Sequence, residues 1–222
     1  MASLKQADRF LAGTDPDFAA LIAKVGPSRL TIERKREPYQ ALMRAVTYQQ
    51  LHGRAAEAIM GRVIGLFPDH PFPPPEQFLA RSDQELRACG LSANKLLAMR
   101  DIAAKTVSGL VPSRAAAARL DNETLIERLT ALRGVGRWTV EMLLMFRLGR
   151  PDIFPVSDYG VRKGFLLTFG RPPKSKPITP AVLPKPDVML RRAKKWQPWR
   201  SVASWYLWRA CDLHGTASPP PE

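Results

Sequence analysis

Apolar residues recur along the chain at spacings of three and four, and period-two alternation is almost absent. Nearly every such run is bracketed by helix start and stop signals. Phe18, Leu21, Ile22 and Val25 follow Asp15-Pro16 and end at Gly26-Pro27, which predicts one helix. Pro38 opens the next, with Leu42, Ala45 and Val46 on one face. Gly53 lies in its continuation, so a break near His52 and a second helix to about Leu66 are expected. Five prolines between Pro68 and Pro75 predict an irregular connection. Ser82-Asp83-Gln84-Glu85 has capping-box spacing, with Gly90 placed to end that short helix. Ser92 caps a longer helix carrying Leu96, Met99, Ile102, Ala103 and Thr106, and Asp121 begins one with Leu125, Ile126, Leu129 and Leu132. Pro198 takes a first-turn position of a last helix through Trp205, Leu207, Trp208 and Cys211. The expected class is all-α, with about ten helices and no internal repeat.

Composition narrows the function. A length of 222 residues fits one compact domain, or two lobes sharing a core. The two cysteines, Cys89 and Cys211, cannot build a four-thiolate cluster, and the three histidines make no metal-ligand group. No apolar run approaches a membrane span, and the first ten residues carry Lys5, Asp8 and Arg9 without an apolar signal core. A soluble, cytoplasmic protein is expected. The net charge of +14 and a pI near 10.4 point to a polyanionic partner. Twelve Lys/Arg against two acids lie between Asp158 and Ala210, so ten of the fourteen net charges sit there. Trp196, Trp199, Trp205 and Trp208 lie among them, and such rings can stack on bases, although core packing is the favoured reading for the first three. Arg171 to Pro186, with six prolines and three lysines, is expected to be a mobile surface loop.

The most informative stretch runs from Asp121 to Phe165. A helix ending at Leu132 is followed by Arg133-Gly134-Val135-Gly136-Arg137 and a second helix from about Trp138. Two glycines around one apolar residue permit a tight turn with positive backbone dihedrals, and Val135 would plug it into the core. The turn also lets a phosphate approach N–H groups at the start of the second helix, with the Thr139 hydroxyl near the same place.

LRGVGRWTVEMLL, followed twenty residues after Trp138 by Asp158 in FPVSDYGVRKGF, resembles the helix-hairpin-helix superfamily of DNA glycosylases. The nearest branch is that of DNA-3-methyladenine glycosylase II, the alkylated-base enzymes. AVTYQQLHGRAA (45–56) and KKWQPWRSVASWYLW (194–208) resemble two further motifs of that branch, and the likeness covers roughly residues 35 to 212. The resemblance implies a two-lobed helical bundle without the N-terminal β domain of longer members. One lobe, about 35–112, would carry the wedge junction. The other would join the N-terminal segment to 113–222, with the hairpin at 125–148 and the catalytic acid.

The resemblance makes Asp158 the catalytic aspartate, although Ser157-Asp158 before a helical run also reads as a helix cap, and the two roles are compatible. Such a carboxylate stabilises positive charge on the deoxyribose as the N-glycosidic bond breaks, and can orient the attacking water. Trp138 stands where strand-cutting relatives carry a Schiff-base lysine, and neither Arg137 nor Lys163 is in that place, so hydrolysis without strand cleavage is implied. Trp208 and Trp138 would wall the base pocket, with Tyr48, Met142 and Tyr159 beside them; Met142 replaces an aromatic common in the branch. The wedge that fills the stack after base flipping falls in Gln49-Gln50-Leu51-His52, with Gln50 or Leu51 favoured. Arg133, Gly134, Val135, Gly136, Arg137, Thr139, Arg162 and Arg200 would meet the DNA backbone. The carbonyls of Thr130, Leu132 and Val135 would suit a monovalent cation; no other cofactor and no structural metal are implied. The expected partner is double-stranded DNA bearing alkylated bases, met by a monomer. The rival readings are a non-catalytic hairpin DNA-binding module, a bifunctional oxidised-base glycosylase-lyase and an RNA-binding protein.

Overall fold

The computed structural model of the chain describes residues 4–170 and 178–215. Those residues are helical with irregular links, and no strand occurs among them. In chain order the α-helices are α1 (Leu4–Thr14), α2 (Pro16–Val25), α3 (Pro38–Tyr48), α4 (Gly53–Gly65), α5 (Pro75–Ala80), α6 (Asp83–Ala88), α7 (Ala93–Val107), α8 (Arg114–Ala117), α9 (Asn122–Thr130), α10 (Arg137–Phe146), α11 (Tyr159–Phe169), α12 (Pro186–Ala193) and α13 (Arg200–Leu213). The capping residues carry much of this pattern. Asp15, Ser82, Ser92, Asp121 and Asp158 each accept a first-turn N–H through the side chain.

Four helices are absent from the apolar spacing. α5 and α8 are little more than a turn, and α1 and α12 each bury only two residues (Ala7 and Leu11; Met189 and Ala193), too few to set a period. The last helix begins at Arg200 with Trp199 as its N-cap, so Pro198 precedes it instead of sitting in its first turn. Of the expected loop at 171–186, residues 171–177 lie outside the described residues. Pro180–Val182 forms a 3-10 turn and Pro186 already opens α12.

The chain divides into two compact units, Met1–Ile32 with Gly149–Glu222, and Glu33–Leu148. The sequence grouped 113–148 with the later helices; the structure groups it with 33–112. The reason is a set of bonds from α7 to the hairpin. Asp101 accepts from Arg133 N–H at 2.8 Å, and Lys105 donates to the Ala131 carbonyl at 2.8 Å.

In the first unit, α11 and α13 pack backbone against backbone beside an aromatic core. Trp196 is fully buried, edge-on to Phe18 at 4.8 Å and stacked on Phe169 at 5.4 Å. Trp199 and Trp205 are buried as well, so these three rings belong to the core. Asp15, fully buried, caps α2 and takes Arg192 at 2.9 Å and Lys195 at 2.8 Å. Burial pushes its carboxyl up, but the two cations outweigh that and hold it at about 2. The Arg192 guanidinium also lies 3.9 Å over the Phe169 ring. Arg209 pairs with Asp212 at 3.0 Å. Three of the twelve cations counted in the C-terminal stretch, Arg192, Lys195 and Arg209, are therefore engaged by carboxylates inside their own unit.

In the second unit, α3 and α7 form the centre, burying Leu42, Met43 and Val46 against a core that includes Met99, Ile102 and Ala103. α5 packs on α7, and α9 and α10 pack on each other, with α10 reaching α3. This unit carries the predicted wedge and the predicted hairpin.

Candidate functional site

Asp158 is fixed from both sides in sequence. Ahead of it, Ser201 Oγ donates to the Arg150 carbonyl at 2.6 Å and accepts from Ile153 N–H at 3.0 Å, while Ile153 and Phe154 are buried. Asp152 clamps the Arg200 guanidinium at 2.6 and 2.8 Å. Arg200 is thus a bracket for this loop, and its expected backbone-binding role meets a guanidinium already engaged by a carboxylate. Behind it, Asp158 caps α11: its Oδ1 accepts from Val161 N–H at 2.7 Å. The same oxygen accepts from the Trp208 indole N–H at 2.8 Å. A half-buried carboxylate held by two donors in one place is preorganised to face developing positive charge.

Trp208 itself is 2 % exposed. That burial leaves the ring little open face, so its contact with Asp158 is a brace where the sequence suggested a pocket wall. Tyr159 remains exposed, with its hydroxyl donating to the Ile178 carbonyl at 3.0 Å. Arg162 donates to the Pro184 carbonyl at 3.2 and 3.3 Å.

The hairpin joins α9 to α10. Leu129, Leu132 and Val135 are buried, so Val135 plugs the turn as its apolar character requires. Gly134 has φ +75, and a Cβ there would press on Ala98 of α7 at 3.2 Å. Gly136 is different from expectation: its φ is −92, an ordinary value. A Cβ on Gly136 would meet open space, so its bareness keeps clear an outer surface beside the α10 N-terminus. Thr139, expected to offer its hydroxyl beside that surface, is buried. Arg137 is held bidentately by Glu123 at 2.8 and 3.1 Å and by Glu141 at 3.1 Å. The Leu132 carbonyl accepts from Val135 N–H at 3.2 Å, which leaves it a second lone pair. Trp138, the second residue of α10, is 39 % exposed, whereas Met142 one turn on is buried.

The wedge candidates occupy the α3–α4 junction. Gln50 has φ +58 although it carries a side chain, the one non-glycine residue in the left-handed region among those described. Leu51 is exposed, and His52 is the N-cap of α4 without a side-chain cap bond. Gln49 is tied down: its amide donates to the Gly134 carbonyl at 2.9 Å, joining the junction to the hairpin. Lys95 adds a second tie, donating to the Thr47 carbonyl at 2.6 Å, with burial lowering its ammonium below the usual lysine range. Tyr48 donates its hydroxyl to Glu57 of α4, and Arg44 reaches the same carboxylate at 3.4 Å. Tyr48 therefore staples α3 to α4 across the junction.

Sequence reasoning missed the supporting residues Asp101, Lys105, Asp152, Glu123 and Gly160. Asp101 and Lys105 read as an ordinary i,i+4 surface pair, and nothing local marks their reach to the hairpin. Gly160 carried a signal, because glycine inside a helix weakens it unless packing requires the space.

Comparison with known proteins gives the family. The model of the HhH-GPD superfamily base excision DNA repair protein matches residues 43–185. DNA-3-methyladenine glycosylase 1 of Schizosaccharomyces pombe is 40% identical over 222 residues, covering 99% of this chain and 92% of its own. The solved structure of 3-methyladenine DNA glycosylase Mag1 from the same organism, in complex with abasic DNA, superimposes with a TM-score of 0.76 over 94% of this chain and 97% of that one, at 40% identity. A crystal structure of DNA-3-methyladenine glycosidase from Bacillus halodurans gives a TM-score of 0.82 at 30% identity, over 95% of this chain and 92% of that one. The chain that carries this hairpin and this capping aspartate thus belongs to the HhH-GPD superfamily of base excision DNA repair proteins.

Proposed function

We propose that this protein is a monofunctional DNA glycosylase that extrudes alkylated purines of the 3-methyladenine and 7-methylguanine type from duplex DNA and hydrolyses their N-glycosidic bond. The observation that carries the reading is the Asp158 carboxylate, fixed by Val161 N–H and the Trp208 indole. An N3- or N7-alkylated purine is already cationic and departs as a neutral base. The bond's electrons leave with the base, positive charge develops at C1′, and Asp158 stabilises it. Water then adds at C1′, losing a proton to the carboxylate or to solvent, and an abasic site remains. Trp138 occupies the position where the resemblance puts a Schiff-base lysine in strand-cutting relatives, so no covalent enzyme–DNA intermediate forms.

The other roles follow the same reading. Gln50 or Leu51 fills the stack after extrusion, with Gln49 holding that junction to the hairpin. Trp138 in one unit and Tyr159 in the other each keep an exposed ring, and an exposed ring is a stacking face for an electron-poor base. Backbone N–H groups beside Gly136 receive a phosphate, and the carbonyls of Thr130, Leu132 and Val135 are the proposed seat of a monovalent cation that would lower the charge there. The protein acts as a monomer.

Methylated duplex incubated with the protein should acquire sites that break only after alkali, and borohydride should trap no adduct. Strand breaks without alkali, or a covalent adduct, would reverse the monofunctional assignment.

Glu123 gives a prediction with an unusual sign. It holds Arg137 at the N-terminus of α10 in an exposed pair, and such pairs contribute little to stability. Glu123→Gln should release the two terminal nitrogens of that guanidinium for phosphate while its Nε stays on Glu141, tighten binding to undamaged duplex several-fold and steepen the salt dependence by about one unit of log K per log salt. An unchanged slope would make Arg137 a purely internal contact.

A further inference from the structure

The bond from Trp208 to Asp158 runs directly over Gly160. A Cβ built on Gly160 would stand 2.7 Å from Trp208 Cδ1, 3.0 Å from Trp208 Nε1 and 3.2 Å from Asp158 Oδ1. Nothing about the backbone asks for glycine here. Gly160 is the second residue of α11 and is not among the residues with positive φ, so alanine would suit the helix better. The position is bare because two groups meet above it. Trp208 is held there from α13, and on the same turn Cys211 Sγ donates to the Gly160 carbonyl at 3.4 Å. Gly164, one turn along α11, lies against the α13 backbone itself, which brings the two helices close enough for the indole to cross.

We propose that Gly160 is a positioning residue for base excision: its missing side chain is the space through which the Trp208 indole reaches Asp158 and fixes the carboxylate. The glycine acts only through the indole, and the indole acts on the carboxylate as a hydrogen-bond donor. This rests on the reading of Asp158 as the catalytic carboxylate.

The test is a mutant cycle of Gly160→Ala, Trp208→Phe and the double variant, with Asp158→Asn as reference. Each is measured for single-turnover excision, for binding to duplex with an abasic-site analogue, and for melting temperature. Phenylalanine removes the N–H that ties the ring to the carboxylate, so the smaller ring, though it keeps a carbon near the place of Cδ1, is released to turn aside from a Cβ at 160. Gly160→Ala and Trp208→Phe should each slow excision by about tenfold to a hundredfold, the range for a lost hydrogen bond to a charged group. Binding to the abasic analogue should stay within about twofold, because a bond to the carboxylate is lost and no phosphate contact is. The double variant should be no slower than Trp208→Phe alone. If Gly160→Ala fails to fold, the double variant should fold and run at the Trp208→Phe rate. A wild-type rate for Gly160→Ala, losses that multiply in the double variant, or a double variant that does not fold would each overturn the proposal. An active Asp158→Asn would remove the underlying reading instead, whereas an inactive one beside an unimpaired Gly160→Ala removes this inference alone.

Discussion

Asp158→Asn should lose about three orders of magnitude in single-turnover excision and still bind abasic-site DNA. The magnitude follows from the charge that is removed. A carboxylate about 4 Å from a unit positive charge contributes about 4 kcal/mol at an effective dielectric constant near 20, which is roughly 10³ in rate. The substitution isolates that term. Asparagine caps helices about as well as aspartate, and its side-chain oxygen can still accept from Val161 N–H and from Trp208 Nε1. The fold, the brace and the phosphate contacts persist, so lost activity reports lost charge. Gel-shift binding to abasic duplex and a rapid-quench excision assay on the same preparation make the separation. An excision rate within about tenfold of wild type would assign the capping role alone to Asp158.

The second large effect is on stability. Gly164→Ala would put a Cβ 1.9 Å from the Leu207 carbonyl oxygen and 2.5 Å from its carbon. Both obstacles are backbone atoms in the middle of α13, so no rotamer change relieves them, and the helices must separate. Separation opens the close packing on which the Asp158–Trp208 bond depends. Overpacking typically costs about 1–3 kcal/mol where side chains can yield, so a collision with backbone belongs at or above about 3 kcal/mol. For a chain of this length each kcal/mol moves the melting temperature by roughly 2–4 °C, so a fall of about 10 °C is expected in calorimetry. A fall below about 2 °C would mean that α11 and α13 are less tightly apposed than described. The contrast with Gly160 is informative: there the obstacle is a side chain, so the expected penalty is on chemistry more than on folding.

The residues that were legible in the sequence are those whose signal is local. Asp15, Ser92, Asp121 and Asp158 announce helices because a cap bonds within three residues of itself. The hairpin was legible for the same reason, with Val135 buried between two glycines. Charge pointed to the right kind of partner, but the acids that engage some of it are distant or just outside the window counted. Arg192 and Lys195 answer to Asp15, Arg200 to Asp152 and Arg209 to Asp212, so four of the twelve cations in that stretch are engaged by carboxylates elsewhere in their unit and the rest keep it basic. Side-chain direction was the other gap. Thr139 and Trp138 are neighbours in sequence, yet one is buried and the other open, because they fall on different faces of α10. The ties from Gln49, Asp101 and Lys105 to the hairpin are tertiary bonds between residues dozens of positions apart, and no spacing rule encodes them.

The central claim is that an anchored carboxylate drives hydrolytic release of a cationic base. Its most direct test is chromatography of the bases set free from methylated duplex by the wild-type protein and by Asp158→Asn. The wild type should release 3-methyladenine or 7-methylguanine, and the variant almost none. Free methylated base at equal rates from both proteins, or none from the wild type under conditions where it binds abasic-site DNA, would contradict the account.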